Sequence, residues 1–206
     1  MINSGAARLA ASSLAVGLCA GLAGCISLFP AEKPVQLYRF DATVQPMQST
    51  GHSFGVRVGM SDFDTAAMGD RIMTVDGDQI AYIDAGRWAN PAVKLFDQAV
   101  ARGFAAPGDA ARLVSPNGGK AEYRLRLNVS SFEARYPSGP TSTPTVTIVM
   151  RATLDRASDS ALIGTRVFEA DVPAGDNRIG PIVQAFDQAT TKVVGDLVAW
   201  VDQKGG

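Results

Sequence analysis

Histidine occurs once in this 206-residue chain and cysteine only twice. With His52 alone, His-pair metal sites and HExxH motifs are excluded, because both require two imidazoles. Glycine-rich phosphate loops of the GxxxxGK[ST] and GxGxxG types are missing as well. Neither sign of charge dominates, with 19 Lys and Arg against 20 Asp and Glu and a net charge of −1. That balance lacks the clustered cations by which nucleic acid is bound. Long apolar runs are also scarce. A membrane-spanning helix wants about 20 strongly apolar residues, whereas the stretch from Leu9 is diluted by Ser12, Ser13, Gly17 and Gly21.

What the N-terminus does contain is a pattern for export. Arg8 is the single charge before Glu32, and a short apolar stretch follows it. A basic start, a short apolar run and small residues before a cut site make a secretory signal. At its end, Leu22-Ala23-Gly24-Cys25 resembles the bacterial lipobox, in which the cysteine is acylated and becomes the first residue after cleavage. The expected layout is a signal peptide at 1–24, a lipidated tether at 25–36 and one periplasmic domain at 37–206. Two or more long acyl chains on Cys25 anchor the chain durably, since each buried methylene adds about 0.8 kcal/mol. Cys19 lies in the removed part and Cys25 carries lipid, so no thiol is left for a disulfide. A domain of this length buries roughly 70% of its unfolded surface and needs none.

Beyond the proline-containing tether, periodicity points to an α+β domain. Phe54, Val56, Val58 and Met60 alternate, as do Tyr123, Leu125, Leu127 and Val129, and Val146 through Leu154. Such alternation marks half-buried strands. Ser130-Ser131 shifts the phase before Phe132, as a β-bulge would. Asp76-Gly77-Asp78 separates two apolar runs and predicts a hairpin, and residues 161–172 make a further strand. Val93, Leu95, Phe96, Ala99 and Val100 have helical spacing, with Asn90 and Pro91 placed as N-cap and first helical residue. A wide apolar stripe runs over 179–202. The expectation is a mostly antiparallel sheet with two main helices, about 92–104 and 179–202, packed on one face.

Catalytic constellations are not evident. A Ser-His-Asp triad would have to use His52, which lies in a polar loop before a strand. Asp62, Asp64 and Asp70, or Asp76 and Asp78, offer too few oxygens for calcium, which takes six or more. These Asp residues suit turns and caps. No metal, cofactor or enzymatic activity is expected, an envelope hydrolase being the least favoured alternative.

Several segments together resemble a known family. They include Tyr38-Arg-Phe-Asp-Ala, Phe54-Gly-Val-Arg-Val, Asp70-Arg-Ile, Ile80-Ala-Tyr-Ile and Gly86-Arg-Trp-Ala-Asn-Pro. Tyr123-Arg-Leu, Phe132-Glu-Ala, Arg166-Val-Phe-Glu-Ala, Ala185-Phe-Asp-Gln-Ala and Val198-Ala-Trp-Val complete the set. Taken with the lipobox, residues 35–202 resemble the ABC-type transport auxiliary lipoproteins. The resemblance implies a non-enzymatic subunit whose partners are an MCE-domain periplasmic protein, an ABC permease and an ATPase, and which homo-oligomerises in some settings. Ile26 after the lipid-bearing Cys25 favours the periplasmic face of the outer membrane. The alternative is a lipid-binding shuttle or chute. Tyr82, Arg87 and Trp88 are the candidate partner interface, because Tyr, Arg and Trp dominate interface hot spots. The competing reading of Trp88 is core packing at the start of the first long helix.

Overall fold

The computed structural model describes residues 35–44, 52–105, 110–115 and 118–205. The signal segment, Cys25 and most of the tether lie outside the described residues. In chain order the elements are β1 (Gln36–Tyr38), β2 (Phe54–Val58), β3 (Asp62–Phe63), β4 (Arg71–Asp76) and β5 (Gln79–Trp88). They continue with helix α1 (Ala92–Gly103), β6 (Ala111–Leu113), β7 (Tyr123–Arg135), β8 (Thr145–Arg156), β9 (Leu162–Pro173) and helix α2 (Ile179–Gly205).

The central strand is β7, and its alternation explains why. On one side it runs antiparallel to β8 along its whole length, and β8 pairs antiparallel with β9. Its other edge is shared by three short strands, all parallel to it: β2 at Val56↔Tyr123, β3 at Phe63↔Val129 and β4 at Thr74↔Ala134. The hairpin partner β5 then leads to β1, and β2 leads to β6. The long ladders are thus antiparallel, as expected, while the short parallel ones were not foreseen. Strands β3 and β6 have only two and three residues, too short for any period to show.

The bulge falls where the phase shift placed it. Val129 pairs with Met150 and Ser131 with Val149, leaving Ser130 as the extra residue. Before the bulge Leu125, Leu127 and Val129 are buried; after it Phe132 and Ala134 are. One inserted residue therefore keeps both halves of a 13-residue strand facing the same core while β3 gives way to β4 on the neighbouring edge.

Both helices cover that face. Phe132 meets Phe96 of α1 and Phe186 of α2, with ring centroids 6.2 and 4.9 Å away. Two carboxylates of α2 tie it to neighbouring segments. Asp187 accepts the backbone N–H groups of Asp41 and Ala42, each at 2.8 Å, which offsets the strained left-handed backbone of Ala42 (φ 41°). Asp202 accepts those of Ala110 and Ala111 at 3.1 and 2.8 Å.

One local expectation is corrected. The N-cap of α1 is Pro91, not Asn90, and no side chain caps it. Instead the first helical donors find backbone partners in the preceding loop: Ala92 N donates to Gly69 O at 2.8 Å and Val93 N to Met68 O at 3.4 Å. In the β4–β5 turn only Gly77 has positive φ (56°), which matches a II′ loop with glycine at its first position.

Deleting Ser130 would turn Phe132 and Ala134 to the outer face. Urea unfolding should show loss of the cooperative fold for the deletion, against a change within about 0.5 kcal/mol for Ser130→Ala.

Candidate functional site

The three residues singled out for an interface belong to β5, but they do not share an environment. Trp88 is 2% exposed. Its ring stands edge-on to Phe40 and Phe186 at 5.3 and 5.2 Å and lies 6.3 Å from Phe132. It is a core residue, and its ring cannot be reached from outside the domain. Tyr82 is half-buried on the hairpin, with the Arg71 guanidinium 3.6 Å above its ring and its hydroxyl donating to Ala66 O at 3.1 Å. Arg87 reaches Asp70 at 3.8 Å, and its side chain is 39% exposed. Arg71 and Arg87 are cross-strand partners, so like charges would face each other unless each found another neighbour. Tyr82 and Asp70 supply those neighbours. The hairpin presents Arg87 and the 55%-exposed Ile80 to solvent, while Tyr82 is packed in part against the core, a mixture of cationic, aliphatic and partly exposed aromatic groups that suits a protein partner.

The isolated polar candidates resolve into structural roles. His52 is exposed in the loop ahead of β2. The stretch Gly51-His-Ser-Phe-Gly55 also has the spacing G-x-S-x-G, whose chemistry requires a serine on a turn from strand to helix. Here Ser53 immediately precedes a strand, so no nucleophile elbow is formed. Asp62 accepts from Asn128 Nδ2 at 2.7 Å, and Asp64 accepts the backbone N–H of Ala66 at 2.8 Å. Among the described residues no group of three or more His, Cys, Asp or Glu is arranged to hold a metal ion. Burial pushes the Tyr136 phenol above its ordinary pKa of 10.0, and its hydroxyl donates to Asn177 Oδ1 at 2.9 Å.

An apolar concavity lies beside α1. A groove of about 670 Å³ runs between the end of β2, the flank of α1 and β6, lined by Val58, Met60, Val93, Val100 and Leu113 among others. Met60 is 81% exposed there. Among the described residues no helix is long and apolar enough to cross a membrane.

An open mixed sheet with two helices on one face defines an α+β module over the described residues. Residues 37–198 match the family model described as ABC-type transport auxiliary lipoprotein component, and the chain belongs to that family. A crystal structure of a Xanthomonas campestris protein assigned to DUF330 is similar, with 24% identity, a TM-score of 0.77, and coverage of 83% of this chain and 97% of that one. An uncharacterized protein matches with a TM-score of 0.61 at 16% identity, over 77% of this chain and 99% of its own. A hypothetical protein from Chlamydia trachomatis matches with a TM-score of 0.52 at 10% identity, over 74% and 97%. At these identities the likeness establishes a shared fold. A comparison with curated sequences finds no match.

Trp88→Ala should cost about 3–5 kcal/mol of stability, as truncation of buried aromatics does, whereas Arg87→Ala should stay within about 1 kcal/mol because its ion pair is exposed. Denaturant unfolding of the two variants checks the difference.

Proposed function

We propose that this chain is a lipid-anchored auxiliary subunit of an ABC-type intermembrane transport system that includes an MCE-domain periplasmic protein. In this reading the protein is held at the periplasmic face of the outer membrane and moves lipid or another hydrophobic cargo only as part of the assembly. The observation that carries the reading is family membership across nearly the whole domain, joined to Leu22-Ala-Gly-Cys25 immediately upstream. The acyl chains on Cys25 would confine the domain to within a tether's length of the membrane. Partner binding then becomes a local event at raised effective concentration. The hairpin surface with Tyr82 and Arg87 is the face assigned to the partner. The role is non-catalytic: the acidic side chains near the sheet serve turns, side-chain hydrogen bonds and ion pairs, and His52 stands by itself in a loop.

A second reading, in which the domain itself carries lipid, is supported by the apolar groove beside α1. Its volume lies within the range of ligand sites, but it is open to solvent along its length, with Met60 largely exposed. Docking is therefore preferred.

Density-gradient fractionation of the protein's own cells tests the anchor. Wild-type protein should sediment with outer membranes and label with radioactive palmitate, and Cys25→Ala should do neither. Unlabelled wild-type protein, or wild-type protein found wholly with inner membranes, would overturn the placement.

A further inference from the structure

The helix-free face of the sheet carries an unusual juxtaposition at one end. Arg57 of β2 and Arg124 of β7 are register partners in a parallel ladder, so two guanidinium side chains rise next to each other on the same face. Like charges directly opposed on neighbouring strands destabilise a sheet unless something neutralises them. Among the described residues neither arginine makes an ion pair.

The two arginines line a pocket of about 570 Å³ together with Lys120, Glu122, Arg156 and the 119–121 backbone. The acids nearby are already engaged. Glu122 turns its Oε2 to the backbone N–H of Gly55 at 3.1 Å. Asp155, opposite Arg124 in the ladder, takes two hydrogen bonds from Arg126 at 3.1 and 2.8 Å. Asp159 pairs with Arg156 at 3.0 Å, and its carboxyl is held below the usual range by the Ala161 N–H and by Arg156. Cations therefore outnumber the acids left to answer them. Arg57 Nε is buried and makes no hydrogen bond, while one terminal nitrogen reaches only as far as Gly119 O at 3.5 Å. A buried donor without a partner is costly.

The pocket is also rigidly built. Glu122 N donates to Gly55 O at 2.8 Å and Ala157 N to Glu122 O at 2.8 Å, which ties β2, the segment before β7 and the β8–β9 turn into one wall. Gly55 is needed for that closure, since a Cβ there would lie 2.7 Å from Lys120 O and 2.8 Å from a Val114 methyl. Gly119 takes the left-handed φ of 72° that lets the chain turn back over the pocket.

We propose that this pocket binds a phosphate group, carried either on a small phosphate ester or on a phospholipid head. Planar, permanently charged guanidinium groups bind phosphate oxygens bidentately, and an anion between Arg57 and Arg124 would relieve their repulsion. The inference is independent of the transport reading, because it rests on the pocket alone.

Calorimetric titration of the full-length protein in a non-ionic detergent and phosphate-free buffer tests it. The probes are inorganic phosphate, glycerol 3-phosphate and monomeric dihexanoyl phosphatidylglycerol. At least one should bind saturably, and the double variant Lys120→Gln/Arg124→Gln should weaken it at least about tenfold, as loss of a charge-assisted contact implies. Both side chains are exposed, so the fold should survive, with unchanged melting as the check. The control pair Arg151→Gln/Arg166→Gln, on β8 and β9 outside the pocket, should bind like wild type. Binding of the lipid alone assigns the site to a headgroup, and comparable binding of the small phosphates assigns it to a soluble ester. No saturable binding of any probe, or equal weakening in the control pair, would overturn the proposal.

Discussion

Phe132 lies in contact with aromatic rings from almost every layer of the domain, and the placement of that one side chain constrains the rest. It meets Phe40 after β1, Phe63 of β3, Trp88 of β5, Phe96 of α1 and Phe186 of α2, with centroid separations between 4.9 and 6.3 Å. Offset and edge-on aromatic pairs each contribute about 0.5–1.5 kcal/mol beyond simple burial. The cluster joins segments far apart in sequence, so none of them can shift without disturbing the others. The Ser130 bulge is what turns Phe132 inward, and it sits where the edge of β7 passes from β3 to β4.

The same constraint distributes the surface. With the helices on the aromatic side, the opposite face of β7, β8 and β9 must carry polar residues, and it does so largely in engaged pairs. Arg126 bonds to Asp155, Arg135 to Glu133 at 2.6 Å, and Thr147 to Asp171 at 2.6 Å. Arg57 and Arg124 differ from these in being unpaired register partners that share one pocket. On β5, Arg87 points outward because Trp88, next in the strand, points in.

Much of the fold was legible. Alternation located β2, β7 and β8, and the broken phase at Ser130-Ser131 located the bulge, because burial on one face imposes a period of two. The stripe over 179–202 located α2, which continues to Gly205. The parallel pairing of β2, β3 and β4 with one edge of β7 was not legible, since alternation reports which face of a strand is buried and not which strand lies beside it or in which direction. The missing side-chain cap on α1 was likewise invisible, because its donors are met by the backbone of Met68 and Gly69. Residue type alone placed Trp88 with Tyr82 and Arg87 as interface candidates, while strand geometry sends it into the core. The pairing of Arg57 with Arg124 depends on parallel register across 67 residues of chain, and no local motif announces it.

The most direct test of the account is purification of the full-length protein from its own cells in mild detergent, with mass spectrometry of what accompanies it. An MCE-domain protein, an ABC permease and an ATPase should be recovered together with it. Recovery of the lipoprotein alone, repeated under chemical crosslinking, would contradict the role of transport subunit.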